Sequence, residues 1–337
     1  MDVTRLGRTG LMVSRSGFGG IPIQRIDFDE AGKLLQRAYE GGITFFDTAR
    51  AYSDSEEKMG RFLSKYRDKI IFASKTPAKT AQDFSKDLDI TLKNLNIDYI
   101  DIYQFHNPPF VPDGELYEAA LAAKQSGKIR YIGITNHSLE LANKIVDSKK
   151  FDTLQFPFSV LSSEDDIELV KRCEQEDIGF IAMKAMSGGL ITNPTATFAF
   201  LRNYSVVPIW GMQYIWELEQ FLELEAHPPV MTDELINAIE RDKHELTGAF
   251  CRGCGYCLPT CPAKIDIPTV SRMSYSLKRL RVETLVSQAQ QERMEKTKEC
   301  IDCGECRNHC PYDLYPPTLF RHEYPIYREF LEKNGYA

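Results

Sequence analysis

Residues 99–106 read Tyr99-Ile100-Asp101-Ile102-Tyr103-Gln104-Phe105-His106, and residues 130–136 read Arg130-Tyr131-Ile132-Gly133-Ile134-Thr135-Asn136. Each is a short, largely apolar run that ends on a polar side chain. Between them, residues 113–126 show helical spacing behind a polar start. A strand that is apolar on both faces needs cover on both, which a parallel sheet flanked by helices supplies. The alternation continues in both directions. Ser16-Gly17-Phe18-Gly19-Gly20, Phe45-Phe46-Asp47 and Ile70-Ile71-Phe72-Ala73-Ser74-Lys75 precede it, and Thr153-Leu154-Gln155-Phe156, Gly179-Phe180-Ile181-Ala182-Met183 and Val206-Val207-Pro208-Ile209-Trp210 follow. Helical spacing recurs over residues 29–41, where Ala31, Leu34, Leu35 and Ala38 share a face, and over 55–63, 83–95, 138–148, 162–176, 194–203 and 216–224. Eight such units predict an α/β chain closed into a (β/α)8 TIM barrel. An open doubly wound sheet is the competing arrangement, but no G-x-G-x-x-G opens a helix; Gly17-Phe18-Gly19-Gly20 lacks the spacing. Residues 5–14, turning at Gly7-Arg8-Thr9-Gly10, read as a hairpin across the bottom of the barrel.

Composition excludes some classes. The formal charge of −7 lacks the basic footprint that nucleic acid requires. No apolar run is long enough to span a bilayer. Met1-Asp2-Val3-Thr4-Arg5 leads into no apolar stretch, so no signal peptide is expected and a reducing cytoplasm is the expected compartment.

Beyond the break at Ala226-His227-Pro228-Pro229, one cysteine pattern occurs twice. Cys251, Cys254, Cys257 and Cys261 precede Pro262, and Cys300, Cys303, Cys306 and Cys310 precede Pro311. Both runs match the bacterial iron–sulfur spacing C-x2-C-x2-C-x3-C-P. Zinc usually takes paired C-x2-C units, and disulfides need an exported chain. In two-cluster ferredoxins the fourth cysteine of each run serves the other cluster. The expected sets are therefore Cys251, Cys254, Cys257 and Cys310 for one [4Fe–4S] cluster, and Cys300, Cys303, Cys306 and Cys261 for the other. Cys173 has no ligand-spaced neighbour and reads as a small buried apolar residue. Residues 269–298 read as helical and charged, and residues 248–313 resemble the helical two-cluster ferredoxin modules of redox enzymes. The expected organisation is a barrel over 1–225, a connecting helix over 226–247, and a mostly helical ferredoxin-like iron–sulfur domain over 248–337.

In a (β/α)8 barrel, reacting groups collect at the C-terminal ends of strands. Asp47 ends the second predicted strand, and Tyr52 follows in the next loop. Lys75 ends the third, His106 the fourth and Asn136 the fifth, while Gln155 lies on the sixth. Singly, each has an ordinary structural explanation: a loop aromatic, a satisfied core histidine, a plain ion pair. Four such groups at the ends of one barrel point to chemistry.

Leu6-Gly7-Arg8-Thr9-Gly10-Leu11, Phe46-Asp47-Thr48-Ala49, Ala73-Ser74-Lys75, Asp101-Ile102-Tyr103-Gln104-Phe105-His106 and Ile132-Gly133-Ile134-Thr135-Asn136 stand in the order and spacing of aldo-keto reductase motifs, and residues 1–225 resemble that family. The resemblance implies a tetrad of Asp47, Tyr52, Lys75 and His106, a nicotinamide cofactor bound without a Rossmann fold, and reduction of an aldehyde or ketone. Tyrosine, with an ordinary pKa of about 10, can protonate the developing alkoxide. Lys75 would draw that pKa down, Asp47 would hold Lys75, and His106 would align the carbonyl oxygen. By the same resemblance, Asn136 and Gln155 grip the nicotinamide carboxamide.

Three positions depart from the family pattern. Met183 stands where the family often stacks a tyrosine on the nicotinamide. Lys184 beside it reads equally as a pyrophosphate ligand or a solvated charge. The stretch Gly211-Met212-Gln213-Tyr214-Ile215-Trp216-Glu217 has no basic residue for a 2′-phosphate, which favours NADH over NADPH. Phe110, Trp210 and Trp216 are candidates for the pocket lining, with core or surface packing an equal alternative.

No flavin signature is visible, although a flavin commonly mediates between hydride and one-electron carriers. The leading expectation is a nicotinamide-dependent oxidoreductase acting on a small carbonyl compound, its clusters serving electron transfer with a redox protein partner. The alternatives are an aldo-keto reductase whose clusters are structural or dock partners, and a non-catalytic electron-transfer or redox-sensing protein.

Overall fold

The computed structural model describes residues 1–187, 191, 193–246, 250–251, 257–277, 280, 282–310 and 314–336. Cys254 and Pro311 lie outside the described residues. The chain divides into two compact units, Met1–Ile239 and Glu240–Ala337.

In the first unit a two-stranded antiparallel hairpin, β1 (Val3–Arg5) with β2 (Met12–Ser14), precedes eight parallel strands. These are β3 (Gly17–Gly19), β4 (Phe45–Asp47), β5 (Ile71–Thr76), β6 (Ile100–His106), β7 (Ile129–Thr135), β8 (Thr153–Pro157), β9 (Gly179–Met183) and β10 (Val206–Gly211). β10 pairs with both β9 and β3, which closes the ring as the sequence pattern predicts and rules out the open sheet. The helices between strands are α1 (Phe28–Glu40), α2 (Ser55–Leu63), α3 (Ala81–Leu95), α4 (Gly114–Gln125), α5 (Leu139–Ser148), α6 (Glu164–Gln175) and α7 (Pro194–Leu201), with α8 (Ile215–Ala226) after β10.

Local chemistry sets these boundaries. Asp27 accepts from Glu30 N while the Glu30 side chain reaches back to Asp27 N, a capping box that starts α1; Ser163 and Asp166 do the same for α6. The buried face of α1 holds Ala31, Leu34, Leu35 and Ala38, as its spacing predicts. These residues join the apolar layer between strands and helices.

Inside the ring, alternate residues of each strand point to the axis. Leu6 and Val13 from the hairpin region pack with Phe45, Ala73, Ile102, Ile181, Val207 and Ile209. The hairpin thus caps the bottom of the barrel. A Cβ on Gly7 would stand 2.2 Å from the backbone N of Gly179, at the start of β9, so the approach admits only glycine. Two residues further along three strands, the interior turns polar: Phe45 gives way to Asp47, Ala73 to Lys75 and Ile102 to Gln104, while β8 adds Gln155. Register sets Lys75 beside Gln104 and Thr135 beside Gln155.

α9 (Asp233–Leu246) runs from the first unit's residues into the second's. The second unit holds α10 (Ile267–Val270), α11 (Met273–Leu277), α12 (Val282–Leu285), α13 (Gln288–Glu295), α14 (Glu305–Asn308) and α15 (Pro316–Lys333). The stretch 269–298 is therefore broken into short helices rather than one long one. Specific groups hold the described chain on either side. Ser287 caps α13 by accepting from Gln290 N, and the buried Glu323 of α15 accepts from Ser274 N at 2.5 Å and Ser274 Oγ at 2.9 Å. The Tyr327 hydroxyl donates to the Leu285 carbonyl at 2.6 Å. A small apolar core of Ile265, Ile267, Val270, Met273, Leu285, Met294, Phe320, Tyr327 and Leu331 includes the side chains of Cys257 and Cys306.

Candidate active site and cluster pocket

Four elements deliver the polar ring of the barrel. Asp47 ends β4, Lys75 is the next-to-last residue of β5, His106 ends β6, and Tyr52 sits in the loop between β4 and α2. That loop is tied down: Thr48 N donates to Ala73 O at 2.8 Å, Arg50 N to Lys75 O at 3.0 Å and Ser55 Oγ to Gly20 O at 2.9 Å. The buried Glu56 accepts from Ser74 Oγ at 2.7 Å and Thr91 Oγ1 at 2.8 Å, and it pairs with Arg50. Tyr52 is therefore held from α2, β5 and α3 together.

Lys75 Nζ stands 2.5 Å from Asp47 Oδ1 and 2.6 Å from the Thr48 carbonyl, with both side chains almost wholly buried. Gln104 Nε2 donates to Asp47 Oδ2 at 3.2 Å, and the Gln155 amide stands close enough to favour the carboxylate. Burial pushes the Asp47 carboxyl up, against the pull of Lys75 and the two amides. Among the described residues its oxygens meet donors, the surroundings of a carboxylate rather than of a neutral acid. The Lys75 ammonium lies 5.1 Å from the centre of the Tyr52 ring, and that ring meets His106 edge-on at 5.7 Å between centres. The four expected tetrad residues thus converge at one end of the barrel.

The electrostatics correct one expectation. Lys75 does favour the Tyr52 phenolate, but burial outweighs it and Asp47 opposes it, so the phenol lies above its ordinary value. Burial first and Lys75 second push the His106 imidazole down to about 3. His106 is neutral at working pH, with one ring N–H to donate. Among the described residues its ring makes no hydrogen bond within the chain.

The proposed carboxamide ligands differ in their freedom. Gln155 is buried, and its Oε1 meets no donor among the described residues; a carboxamide N–H would satisfy it. Asn136, immediately after β7, already donates from Nδ2 to Pro108 O at 2.9 Å and accepts at Oδ1 from Ser138 N at 2.8 Å. Met183 ends β9, half-buried against the interior cluster. Lys184 follows with φ +57° and lies close enough to His137 to depress its pKa. Trp210 is no pocket residue: it is buried between Phe198 and Phe221, stacked at 4.7 and 4.6 Å. Phe110 and Trp216 are exposed.

Two residues escaped the sequence reading. Gln104 stands two positions before His106, so strand periodicity alone aims it into the same interior. His137 Nδ1 lies 3.1 Å from Asn107 Oδ1, and burial, Lys184 and His106 together hold its imidazole down at about 3. Its place in the loop after Asn136 gave no periodic signal.

In the second unit, Cys261, Cys300, Cys303 and Cys306 line one pocket, walled by Ile265, Ile267, Pro317 and Phe320 among others. This is the crossed set expected from spacing, three thiols of the second run and the last of the first. Gly304, at φ +78°, turns the chain between Cys303 and Cys306, and Asp302 is anchored by Tyr315 and Arg321. Four sulfurs around an apolar pocket suit a cluster body, and Ile265 N already points at Cys261 Sγ at 3.5 Å. In the other expected set, Cys251 and Cys257 are buried and Cys310 is partly buried. Cys173 is a buried thiol in the barrel wall.

Comparison with known proteins agrees with this architecture. A family model described as "Aldo/keto reductase family" matches residues 15–203, and one described as "4Fe-4S dicluster domain" matches residues 250–315. Aldo-keto reductase YhdN of Bacillus subtilis (strain 168) is 31% identical over 229 residues, covering 60% of this chain and 69% of the relative. L-galactose dehydrogenase of Arabidopsis thaliana is 29% identical over 215 residues, covering 57% and 67%. The crystal structure of aldo-keto reductase AKR11C1 from Bacillus halodurans shares the fold with a TM-score of 0.64 at 21% identity, over 72% of this chain and 96% of that one. No helix among the described residues is long and apolar enough to cross a membrane. A closed eight-stranded barrel and a family match over more than half its length establish that the chain belongs to the aldo/keto reductase family of oxidoreductases and carries a 4Fe-4S dicluster domain over residues 250–315.

Proposed function

We propose that the chain is a nicotinamide-dependent oxidoreductase that interconverts a small carbonyl compound and its alcohol, with Tyr52 as the general acid/base. The observation that carries this reading is the meeting of Tyr52, Lys75 and His106, from separate parts of the barrel, around one end of the polar interior. A bound reduced nicotinamide supplies the hydride. Tyr52 gives its phenolic proton to the carbonyl oxygen as negative charge develops there. Lys75 stabilises the phenolate left behind, and Asp47 keeps the ammonium charged and aimed. Neutral His106 donates its N–H to the same oxygen and sets its orientation. Gln155 and Asn136 would hold the carboxamide, Met183 would pack on the ring, and Lys184 would face the phosphates. The absence of a basic residue over 211–217 favours NADH.

Cys300, Cys303, Cys306 and Cys261 would hold one [4Fe–4S] cluster and Cys251, Cys254, Cys257 and Cys310 another, each supplying a one-electron carrier. Together the two would match the two electrons of one hydride equivalent. Ile301, between two ligands of the first set, is 69% exposed, and Cys303 is exposed. An exposed ligand loop favours exchange with a redox partner over a purely structural cluster. We assign residues 1–225 to the barrel domain, 226–247 to the connecting helix and 248–337 to the iron–sulfur domain.

Tyr52→Phe removes the acid and little else. Turnover of a panel of aldehydes, followed anaerobically by NADH absorbance, should fall by about 10²- to 10⁴-fold, with iron content unchanged. Undiminished turnover would remove Tyr52 from the mechanism and this reading with it.

A further inference from the structure

We propose that Arg25 recognises an anionic group, phosphate or carboxylate, of a molecule entering the Tyr52 end of the barrel; this rests on the oxidoreductase reading above. Arg25 closes the short 3-10 turn Pro22–Arg25 after β3, on the same side of the sheet as Tyr52 and His106. The backbone carrying it is fixed on both flanks. Lys58, a buried lysine, donates to the Ile23 carbonyl at 2.9 Å and to the Ile26 carbonyl at 2.7 Å. Ser53 Oγ donates to Gln24 Oε1 at 3.3 Å, tying the turn to the residue after Tyr52. On the other side, a Cβ added to Gly211 would stand 3.1 Å from Pro22 Cγ, so the turn also abuts the end of β10.

The guanidinium held there is half-buried and makes no hydrogen bond or ion pair among the described residues. A partly desolvated cation without a partner is costly, and other partly buried arginines of the barrel have one. Arg50 holds Glu56, Arg67 holds Asp101 and Arg202 holds Glu225. Arg15, at the opposite end of the barrel, gives a donor to the Arg202 carbonyl. Burial lowers the Arg25 pKa, with Tyr214 acting in the opposite sense, and an arginine remains charged throughout. Tyr214 belongs to the loop over 211–217, which has no basic residue of its own. Arg25, from the neighbouring strand, brings a cation beside that loop. On a chain of net charge −7 it offers a fixed, forked donor for oxyanions at the barrel mouth.

The anion has two possible sources, the phosphates of a dinucleotide and an acidic substrate. Arg25→Gln and Arg25→Lys in the full-length, anaerobically purified protein separate them. KM and kcat are measured with 4-carboxybenzaldehyde and with its neutral counterpart 4-methylbenzaldehyde, and NADH and NADPH dissociation constants by fluorescence titration. A rise of about ten- to hundredfold in KM for 4-carboxybenzaldehyde alone assigns the anion to the substrate. A rise of the same size in the dinucleotide dissociation constants, larger for NADPH if a 2′-phosphate is held, assigns it to the cofactor. Arg25→Lys should recover part of either loss. Unchanged constants throughout overturn the proposal, as does an equal loss on charged and neutral aldehydes with a lowered urea midpoint. If the parent protein reduces neither aldehyde yet its dinucleotide affinity falls with Arg25→Gln, the oxidoreductase reading fails while the Arg25 assignment stands.

Discussion

Replacing Lys75 by Met separates what the buried ion pair does for stability from what it does for chemistry. The side chains of Lys75 and Asp47 are 1% and 2% exposed, with 2.5 Å between Nζ and Oδ1. At an effective dielectric constant of about 20, two unit charges at that separation attract by about 7 kcal/mol. Desolvation of both ions cancels much of this, but it does not disappear when one partner is removed. Lys75→Met leaves Asp47 buried with the Gln104 hydrogen bond and no cation, a change that costs about 3–5 kcal/mol. Both tryptophans, Trp210 and Trp216, lie in the barrel unit, and Trp210 is buried, so tryptophan fluorescence reports on that unit. In urea the unfolding midpoint should drop by about 1–2 M. Adding Asp47→Asn removes the stranded charge, and the double variant should recover most of the stability while remaining inactive in aldehyde reduction. A single variant with an unmoved midpoint, or a double variant as unstable as the single, refutes the account of the pair.

Two further outcomes follow from the geometry. Cys261→Ala should strip the cluster shared with Cys300, Cys303 and Cys306, taking anaerobic iron from about eight per chain to about four and leaving the other cluster's electron paramagnetic resonance signal in place; full iron retention would remove Cys261 from the ligand set. Unfolded imidazoles take a proton near 6.5 whereas folded His106 and His137 refuse one until about 3, so between those values the unfolded chain binds more protons and stability falls as pH drops, by about 2.7 kcal/mol per pH unit for the pair; the double variant His106→Gln, His137→Gln should lose this slope between pH 6 and 4 on the scale set by these pKa values, and an identical slope in parent and variant would contradict it.

The barrel was legible because its evidence is repetitive. Eight apolar runs with helical segments between them leave few arrangements, and strand ends such as Asp47 and His106 mark the reactive face without any contact being known. The cysteine spacing was equally direct for the domain, which matches a 4Fe-4S dicluster model over residues 250–315, and four of the eight expected ligands line one pocket. What escaped depended on loops or on balances between opposing effects. His137 lies off any strand, and Arg25 acts beside a loop that follows the last strand, far away in sequence. The sign of the Tyr52 shift required burial to be weighed against one ammonium, which sequence cannot do. The stretch 269–298 misled because its charged, helix-favouring residues outweighed the serines that punctuate it, and α15 went unseen because Pro316, Pro317 and Pro325 mask its periodicity.

The upward shift of Tyr52 bears on the direction of the chemistry. A resting phenol held above its ordinary pKa carries its proton, which is the state a reductase needs at the moment hydride arrives. His106 is neutral, and Lys75 is paired with Asp47 before reaction. Charge appears only as the carbonyl oxygen becomes an alkoxide, and then the Lys75 ammonium and the His106 N–H both act on it or on the phenolate that replaces it. Stabilisation that exists only once the reaction is under way lowers the barrier, whereas an equal attraction for the resting substrate would not. The reverse reaction, alcohol oxidation, must first place a phenolate in a site that burial turns against it. On the proposed mechanism, carbonyl reduction would be the easier direction near neutral pH, with oxidation gaining as rising pH deprotonates Tyr52.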